Sequence, residues 1–349
     1  MPVNDNLHHL VVTAMLAFRD LCFCPQGGNR PALLTPQSRN GKNMQVKPAN
    51  RHVLFLQGPG TLFFYRLAQT LENAGIATSK IHFSPGDRLF WRSGRQAWFT
   101  GPLSQWPEYL KAWIEETRVS DIVLFSDSRP YHKQAVSIAR ACGVNVFVFE
   151  NGYLRPHWIT LQLGGVNGSS PFPRTRKGVE ELAQKLAGVA EQPEYSGHFT
   201  PARHLGDMVF HTINYFYGLT NRNFVSHRPV TAMREAAGWW KKFWTWPFRR
   251  ARSTRVLQGL LASRQPFFLF SLQLDNDYQL VEHSPFDNIH QACEHVIASF
   301  ANYAPPDCQL LIKNHPLDNN LVNRERDVAE IARRHAISDR VHYIETGNN

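Results

Sequence analysis

Polar residues follow five apolar runs of this sequence, at positions where their chemistry can be used. The segments are Gln57-Gly58-Pro59-Gly60, Ser126-Asp127-Ser128-Arg129-Pro130, Glu150-Asn151-Gly152-Tyr153-Leu154-Arg155-Pro156, Gln273-Leu274-Asp275-Asn276-Asp277 and Asn314-His315-Pro316. Each apolar run is typical of a β-strand, and α/β folds bind ligands beyond the carboxyl ends of parallel strands. The repeated occurrence of polar segments directly after predicted strands indicates that the protein is an enzyme.

The second half of the chain holds the candidate nucleophile. Asp277 ends a polar cluster that follows a strand expected to be buried. A carboxylate there can act as a nucleophile or orient a sugar hydroxyl, or it can only close an Asx turn. His315, just before Pro316, can likewise either bind a phosphate or only make hydrogen bonds that stabilise a turn. Lys313, at the end of the same strand, is expected to point into a cleft or to snorkel to solvent.

The first half offers a second set of polar residues. Gly58 and Gly60 either turn the chain or contact a ligand, and the segment lacks the GxGxxG pattern of a dinucleotide site. Asp127 is expected either to have the structural role of capping the next helix, with Arg129 as its ion-pair partner, or to have a functional role in the site.

Glu150 follows a fully apolar strand, where a carboxylate is costly unless it is paired or useful. Arg155 is either its structural partner or a binder of an anionic group.

Alternating strands and helices are expected to position these residues. The predicted strands are Val53–Gln57, Ile81–Phe83, Asp121–Phe125, Val144–Phe149, Phe267–Leu272, Leu310–Lys313 and Val341–Ile344. The predicted helices start at Thr61 as N-cap and span Tyr131–Cys142, Ile289–Tyr303 and Val322–His335. This order implies parallel, doubly wound sheets in two α/β units.

An aromatic and basic segment joins the two units. Gly238–Arg255 interleaves Trp and Phe with Lys and Arg and has no acidic residue. Interfacial membrane contact is favoured over a buried helix with solvated ends, and nucleic acid is disfavoured because no binding fold for it accompanies the basicity. The predicted membrane contacts are Trp239, Trp240, Trp244, Trp246, Arg249 and Arg250.

Length and composition bound the remaining choices. The 349 residues allow two domains, and 38 basic against 28 acidic residues give a net charge of +10, which suits anionic partners. Five cysteines match neither a disulfide framework nor a zinc site, so we expect reduced thiols, a cytoplasmic location and no bound metal. The apolar stretch Leu10–Phe18 is too short to span a bilayer, so membrane association is expected to be peripheral.

The expected domains are a poorly structured extension over 1–50, a Rossmann-like domain over 51–170, a helical connecting segment over 171–255 and a second Rossmann-like domain over 256–349. The last has three predicted strands, where a complete half usually has ~5–6. We therefore expect a second half that is either unusually small or truncated.

Several motifs resemble one family. Gln57-Gly58-Pro59, Gly86-Asp87-Arg88, Asp127-Ser128-Arg129-Pro130 with His132-Lys133, Glu150 to Pro156, Gly164-Gly165-Val166-Asn167, Gln273 with Asn276-Asp277, and His315-Pro316 occur in this order in the capsule polysaccharide biosynthesis and export family. The resemblance covers roughly residues 51–345, and the block from Glu150 to Asn167 is its most specific part.

The resemblance implies a GT-B-like fold and a retaining β-Kdo transferase that takes Kdo from CMP-Kdo to a phosphatidylglycerol-based acceptor, without a cofactor. Asp277 would be the nucleophile, and Glu150 the acid/base or acceptor-positioning group. Donor-binding residues would be Gln273, Lys313, His315 and Pro316, and acceptor-binding residues Gly58, Pro59, Asp127, Arg129 and Arg155. Other capsule assembly proteins are expected partners at the inner membrane. The alternative is a non-catalytic export or assembly protein docked there.

Overall fold

The computed structural model describes residues 51–92, 94–152, 159–186, 201–226, 232–275 and 277–346. The extension over 1–50 and Arg155 lie outside the described residues. The chain divides into two compact units, Met1–Ser226 and His227–Asn349. The first unit therefore includes part of the segment expected to connect the two domains.

The first unit is an α/β domain around one six-stranded sheet. Its strands are β1 (His52–Phe55), β2 (Ala77–His82), β3 (Arg95–Trp98), β4 (Asp121–Phe125), β5 (Asn145–Asn151) and β6 (Ile159–Leu163). Its helices are α1 (Phe63–Asn73), α2 (Pro85–Leu89), α3 (Trp106–Thr117), α4 (Pro130–Ala141), α5 (Arg176–Leu186) and α6 (Pro201–Thr220), with 3₁₀ turns at Leu103–Gln105 and Asn167–Ser169. The strand order is β3-β2-β1-β4-β5-β6, and only β6 pairs antiparallel.

Alternation along the central strands builds a core on both faces of this sheet. Val53 and Phe55 of β1 pack on one side with Leu67 of α1, while Leu54 and Leu56 pack on the other with Trp106 of α3. Successive strand residues point to opposite faces, so a strand covered by helices on both sides is apolar throughout. The prediction of a parallel, doubly wound sheet is confirmed here.

Local details of the first unit differ from the predictions. The N-cap position of α1 is Leu62, one residue after the predicted Thr61, but the Thr61 hydroxyl accepts from the Phe63 N–H at 3.3 Å at the start of the helix. Strand β2 begins at Ala77 rather than Ile81, because buried Thr78, Ser79 and Lys80 extend it with polar residues that a search for apolar runs misses. Strand β3 escapes the same search, since its four residues are all partly exposed.

The second unit is smaller. Its helices are α7 (Ala232–Ser263), α8 (Tyr278–Val281), α9 (Ile289–Tyr303) and α10 (Arg324–Arg334), and its strands are β7 (Phe267–Ser271), β8 (Gln309–Lys313) and β9 (Val341–Ile344). The strands form a parallel sheet in the order β7-β8-β9. Helices α9 and α10 cover one face through Ile297 and Ile331, and α7 covers the other through Leu260.

The expectation that β7 is buried is wrong. Phe268 is 54% exposed and Leu269 is 57% exposed. Helix α7 packs on Leu311 of β8 and Ile344 of β9, and this contact does not extend to Leu269. In the described part of the chain β7 also has one strand neighbour, β8, so one of its edges is unpaired. Burial depends on these neighbours, and the apolar run does not reveal them.

Candidate functional site

The first unit has a topological switch point between β1 and β4. Strand order reverses there, since the chain runs outward from β1 to β3 and then returns to β4 on the other side of β1. Loops that follow two such strands diverge and leave a crevice, which is where doubly wound sheets bind ligands. Gln57–Gly60 follow β1, and Ser126–Arg129 follow β4, so two of the predicted segments meet at this point.

Two cations hold the loop after β1. Arg129 donates from Nη1 to Gln57 Oε1 at 2.9 Å and to the Gly58 carbonyl at 3.3 Å. Fully buried Lys80 donates from Nζ to the Leu56 carbonyl. Burial lowers the pKa of Lys80 to about 8, against the Asp87 carboxylate, which raises it, while Arg129 lowers it further. Two cationic side chains, Lys80 and Arg129, therefore lie at the base of the crevice together with the Asp87 carboxylate.

Buried His132 stabilises the turn after β4. Its Nδ1 lies 2.7 Å from the Ser126 carbonyl, and carbonyls only accept, so Nδ1 carries the proton. Burial, with the nearby Arg129 and Lys80 charges, lowers the pKa of His132 to about 3. Ser126 has φ of 64°, a left-handed conformation that costs energy in a residue other than glycine. A neutral histidine thus holds a strained turn at the switch point.

Asp127 positions a neighbouring loop. Its Oδ2 accepts from the Val166 backbone N–H at 3.1 Å. The N-cap of α4 is Arg129 and makes no side-chain cap bond, so the expectation that Asp127 caps this helix is wrong. Asp127 instead fastens the Gly165-Val166 segment, part of the motif at residues 164–167, to the end of β4.

Close packing accounts for two glycines near this loop. A Cβ on Gly58 would lie 2.8 Å from the Phe64 ring, and a Cβ on Gly206 of α6 would lie 2.3 Å from the Gly60 carbonyl. Helix α6 therefore packs directly on the loop that contains Gly58 and Pro59. The cavity beside them, which Lys80 also lines, is about 10 Å³, enough for about one water.

Glu150 lies within β5 rather than after it. It pairs with Thr160 of β6, and its Oε1 accepts from the Asn151 N–H at 2.9 Å. The residue is half-buried. Among the described residues no partner is recorded for its second carboxylate oxygen.

In the second unit Asp275 and Asp277 have different roles. Asp275 forms an ion pair with buried Arg324 and accepts from the Ile289 N–H at 3.3 Å. Asp277 is the N-cap of α8, and its Oδ1 accepts from the Gln279 N–H at 2.9 Å. This capping bond is the structural alternative that the sequence left open. It engages one oxygen of Asp277.

His315 lies near Asp277 and has a defined tautomer. The Leu317 backbone N–H donates to His315 Nδ1 at 3.1 Å, so Nδ1 is unprotonated and the neutral ring carries its proton on Nε2. Burial lowers the pKa of His315, Lys242 adds to the lowering, and the carboxylates of Asp277 and Asp318 oppose it. At neutral pH His315 is therefore a neutral donor near a carboxylate. The two residues follow β7 and β8, adjacent strands of one parallel sheet.

Helix α7 holds the loop that contains His315 and Pro316. Lys242 is 8% exposed, and its ammonium group donates to the carbonyls of Pro316 and Asp318, each at 2.7 Å. Nearby, Arg249 pairs with Glu345, and the Glu345 N–H donates to Ser253 at 3.0 Å. Arg249 thus lies on the sheet-facing side of α7, in contrast to the outward position expected of a membrane contact.

The other side of α7 is exposed and aromatic. Trp240, Phe243, Trp244 and Phe248 are 63%, 71%, 68% and 79% exposed. Trp239 and Trp246 are less exposed, and Lys242 lies 5.0 Å from the centre of the Trp239 ring. Over the described ranges, no helix is both long enough and apolar enough to cross a bilayer.

The structure groups the predicted residues into two sets. Gln57, Gly58, Asp127 and Arg129 meet at the switch point of the first unit, and Asp277 and His315 follow adjacent strands in the second. Gln273 is exposed and lies two residues after the end of β7. Lys313 is half-buried and is the last residue of β8. Within the described residues no group of three His, Cys, Asp or Glu side chains is placed to hold a metal ion.

Sequence reasoning missed four buried polar residues that support these two sets: Lys80, Asp87, His132 and Lys242. Asp87 and His132 stand in the family motifs and were assigned no role. Lys80 is hidden in a strand that was predicted to begin one residue later. Lys242 shares its helix with many exposed cations, so only tertiary contacts distinguish it.

Proteins of capsule biosynthesis match this chain along most of its length. The capsule polysaccharide modification protein LipB of Neisseria meningitidis serogroup A is 32% identical over 313 residues, covering 84% of this chain and 71% of LipB. The capsule polysaccharide export protein KpsS of Escherichia coli is 28% identical over 305 residues, covering 87% of this chain and 78% of KpsS.

Solved structures resemble the chain only distantly. A UDP-GlcNAc 2-epimerase from Neisseria meningitidis bound to UDP-GlcNAc has a TM-score of 0.25 at 13% identity, covering 85% of this chain and 72% of its own. A glycosyltransferase from Rickettsia africae has a TM-score of 0.26 at 9% identity, covering 86% and 69%. Neither likeness is close enough to inform on activity.

The family assignment rests on sequence. Residues 120–349 match the family described as capsule polysaccharide biosynthesis protein. That range contains Asp127, Glu150, Asp277 and His315, and the match to LipB, which covers 84% of this chain, extends the similarity to residues before 120. The chain is a member of the capsule polysaccharide biosynthesis protein family.

Proposed function

We propose that this chain is a glycosyltransferase of GT-B type that moves Kdo from CMP-Kdo to a phosphatidylglycerol-based acceptor with retention of configuration. Family membership supports a role in capsule polysaccharide biosynthesis. The observation that carries the enzymatic proposal is that Asp277 and His315 follow two adjacent strands of one parallel sheet, where burial lowers the pKa of His315 and the Asp277 carboxylate raises it. No cofactor other than the donor sugar nucleotide is required.

The proposed reaction has two displacements. A carboxylate oxygen of Asp277 attacks the anomeric carbon of Kdo while the bond to the CMP phosphate oxygen breaks, and CMP leaves with the bonding electron pair. The acceptor hydroxyl then attacks the same carbon, its proton passes to a general base, and the Asp277 carboxylate is released. By the family motif alone, Glu150 is the candidate for this acid/base or acceptor-positioning role. The proposed role of neutral His315 is to donate from Nε2 to the donor phosphate. Pro316, Gln273 and Lys313 are proposed to complete the donor site.

The acceptor is assigned to the first unit. The cationic side chains of Arg129 and Lys80, at the bottom of the crevice, suit the phosphate of the lipid or the carboxylate of a Kdo residue already attached. Gly58, Pro59 and Asp127 shape the loops around Arg129. Arg155 is proposed to join this site on the strength of the family motif alone.

We also propose peripheral association with the cytoplasmic face of the inner membrane, beside other capsule assembly proteins. The exposed aromatic side of α7 supports this, since Trp and Phe favour the bilayer interface and basic residues favour anionic lipid. The same surface fits the alternative function, a non-catalytic export or assembly protein, which the description of KpsS as an export protein favours.

Incubation with CMP-Kdo and a lyso-phosphatidylglycerol acceptor separates these functions. A transferase is expected to give an acceptor heavier by one Kdo residue, detected by mass spectrometry, with one CMP released per transfer. Absence of product together with absence of CMP-Kdo binding by calorimetry would overturn the enzymatic proposal. Membrane association without any turnover would favour the export protein.

A further inference from the structure

A groove on the outward side of α7 plays no part in the proposed transfer. It is a shallow groove open to solvent, its described lining lies on α7 alone, and it is lined in part by Trp246, Arg250, Thr254 and Arg255. Residues four apart lie above one another on a helix, so Trp246, Arg250 and Thr254 form one row. Arg255 flanks this row. The groove therefore combines an indole, a hydroxyl and two guanidinium groups.

The charges of this part of α7 are only partly compensated. Arg249 pairs with Glu345 and Arg252 pairs with Glu325. For Arg250 and Arg255 the described residues provide no carboxylate partner. The two arginines that line the groove are thus those whose charge is left for a ligand.

The groove continues the exposed aromatic surface along the helix. At 1.5 Å per residue, Trp240 and Arg255 are about 22 Å apart along the axis. The buried positions Ser253 and Leu260 lie on the side of α7 that packs on the sheet. A helix lying in the plane of a bilayer would insert its aromatic residues and bring the groove to the depth of the lipid phosphates.

We propose that this groove is a binding site for the headgroup phosphate of an anionic phospholipid. Arg250 and Arg255 donate to the phosphate oxygens, since a guanidinium fork matches phosphate geometry. Thr254 donates a further bond, and Trp246 packs at the interface beside the headgroup. The site rests on the proposed membrane association and is independent of Kdo transfer, so a failed transferase assay leaves it intact.

Vesicle sedimentation tests the site. The full chain is mixed with vesicles of phosphatidylcholine alone or of phosphatidylcholine with phosphatidylglycerol. The double variant Arg250→Gln, Arg255→Gln should bind the anionic vesicles about thirtyfold more weakly, from about fivefold per arginine near an anionic surface. Both side chains are exposed, so the thermal midpoint should not change.

The matched control is Lys241→Gln, Arg252→Gln, which removes the same charge from exposed positions of α7 outside the groove. We expect it to lose much less affinity than the groove variant. Equal losses would show a diffuse basic surface and overturn the site. A second arm adds inorganic phosphate at constant ionic strength. Release of the protein by phosphate would identify a soluble-anion site and overturn the lipid assignment, whereas retention supports it.

Discussion

At the scale of single residues, Asp277 carries the most specific chemical assignment. Asn at this position keeps a side-chain oxygen for the Gln279 N–H, so the N-cap of α8 should persist. The carboxylate, however, is lost. We expect Asp277→Asn to lower initial rates of Kdo transfer by at least about a thousandfold, by comparison with other covalent catalysts. The thermal midpoint should stay close to that of the wild type.

Asp275→Asn is the matched control, because it makes the same change two residues away. Its carboxylate pairs with buried Arg324, so the variant should lose stability, about 1–3 kcal/mol, while folded protein keeps turning over. A folded Asp277→Asn variant with near-normal turnover would show that Asp277 is not the nucleophile. NMR gives an activity-independent check, since loss of the Asp277 charge should lower the pKa of His315 further.

His132 should make stability depend on pH. Its pKa is about 3 when folded and about 6.5 when unfolded, so the unfolded state binds the proton first. The stability that neutral His132 contributes is complete above pH 6.5 and is lost as the pH falls toward 3. The loss should be about 1.4 kcal/mol per pH unit for this one group.

Comparison with His132→Asn isolates this group, since an amide can donate to the Ser126 carbonyl and does not titrate. Urea unfolding at pH 7 and pH 5 should show a smaller stability difference between wild type and variant at pH 5. Parallel pH dependences for the two proteins would mean that His132 is not held neutral.

At the scale of elements, α7 links an exposed surface to the loop after β8. Its buried Lys242 is expected to act as a positioning residue for His315 and Pro316, because it holds two carbonyls of their loop. We expect Lys242→Met to raise the KM for CMP-Kdo several-fold with a smaller effect on kcat. Leaving the carbonyls without a donor should also cost about 1–3 kcal/mol of stability.

Two variants test this positioning role. Lys241→Met removes the neighbouring, exposed ammonium group and should change neither KM nor hydrogen exchange in residues 315–320. Lys242→Arg keeps a cationic donor and should restore part of the donor affinity. If Lys242→Met only lowers stability and leaves KM and loop exchange unchanged, the contact is purely structural.

At the scale of the whole molecule, the exposed side of α7 should determine membrane association. We expect replacement of Trp240, Phe243, Trp244 and Phe248 by Ser to weaken binding to anionic vesicles by about a thousandfold. The estimate takes about 1 kcal/mol for each ring that is partly buried in the interface. Vesicle sedimentation measures the change.

The control variant is Phe216→Ser, Tyr303→Ser, which removes exposed aromatic rings from other surfaces of the two units. It should bind vesicles like the wild type. Unchanged binding by the folded α7 variant would show that these rings do not enter the bilayer. Burial of these rings against another protein of an assembly would then be favoured.

Sequence alone determined the family, the α/β class and most central strands. Asp121–Phe125 and Val341–Ile344 were predicted with their observed limits, because apolar runs of that length report burial between helices. The family motifs also identified both Asp277 and His315 as candidate site residues. These properties depend on local composition and on residue order, which the sequence contains directly.

Only the tertiary structure decided which polar groups are structural. Lys80 and Lys242 are buried by neighbours distant in the sequence, and only contacts with the sheet region distinguish half-buried Arg249, which pairs with Glu345, from exposed Arg250. The same holds for β7, whose apolar residues are exposed because α7 packs on the other two strands. Burial and pairing arise from contacts between distant segments, so no local pattern specifies them.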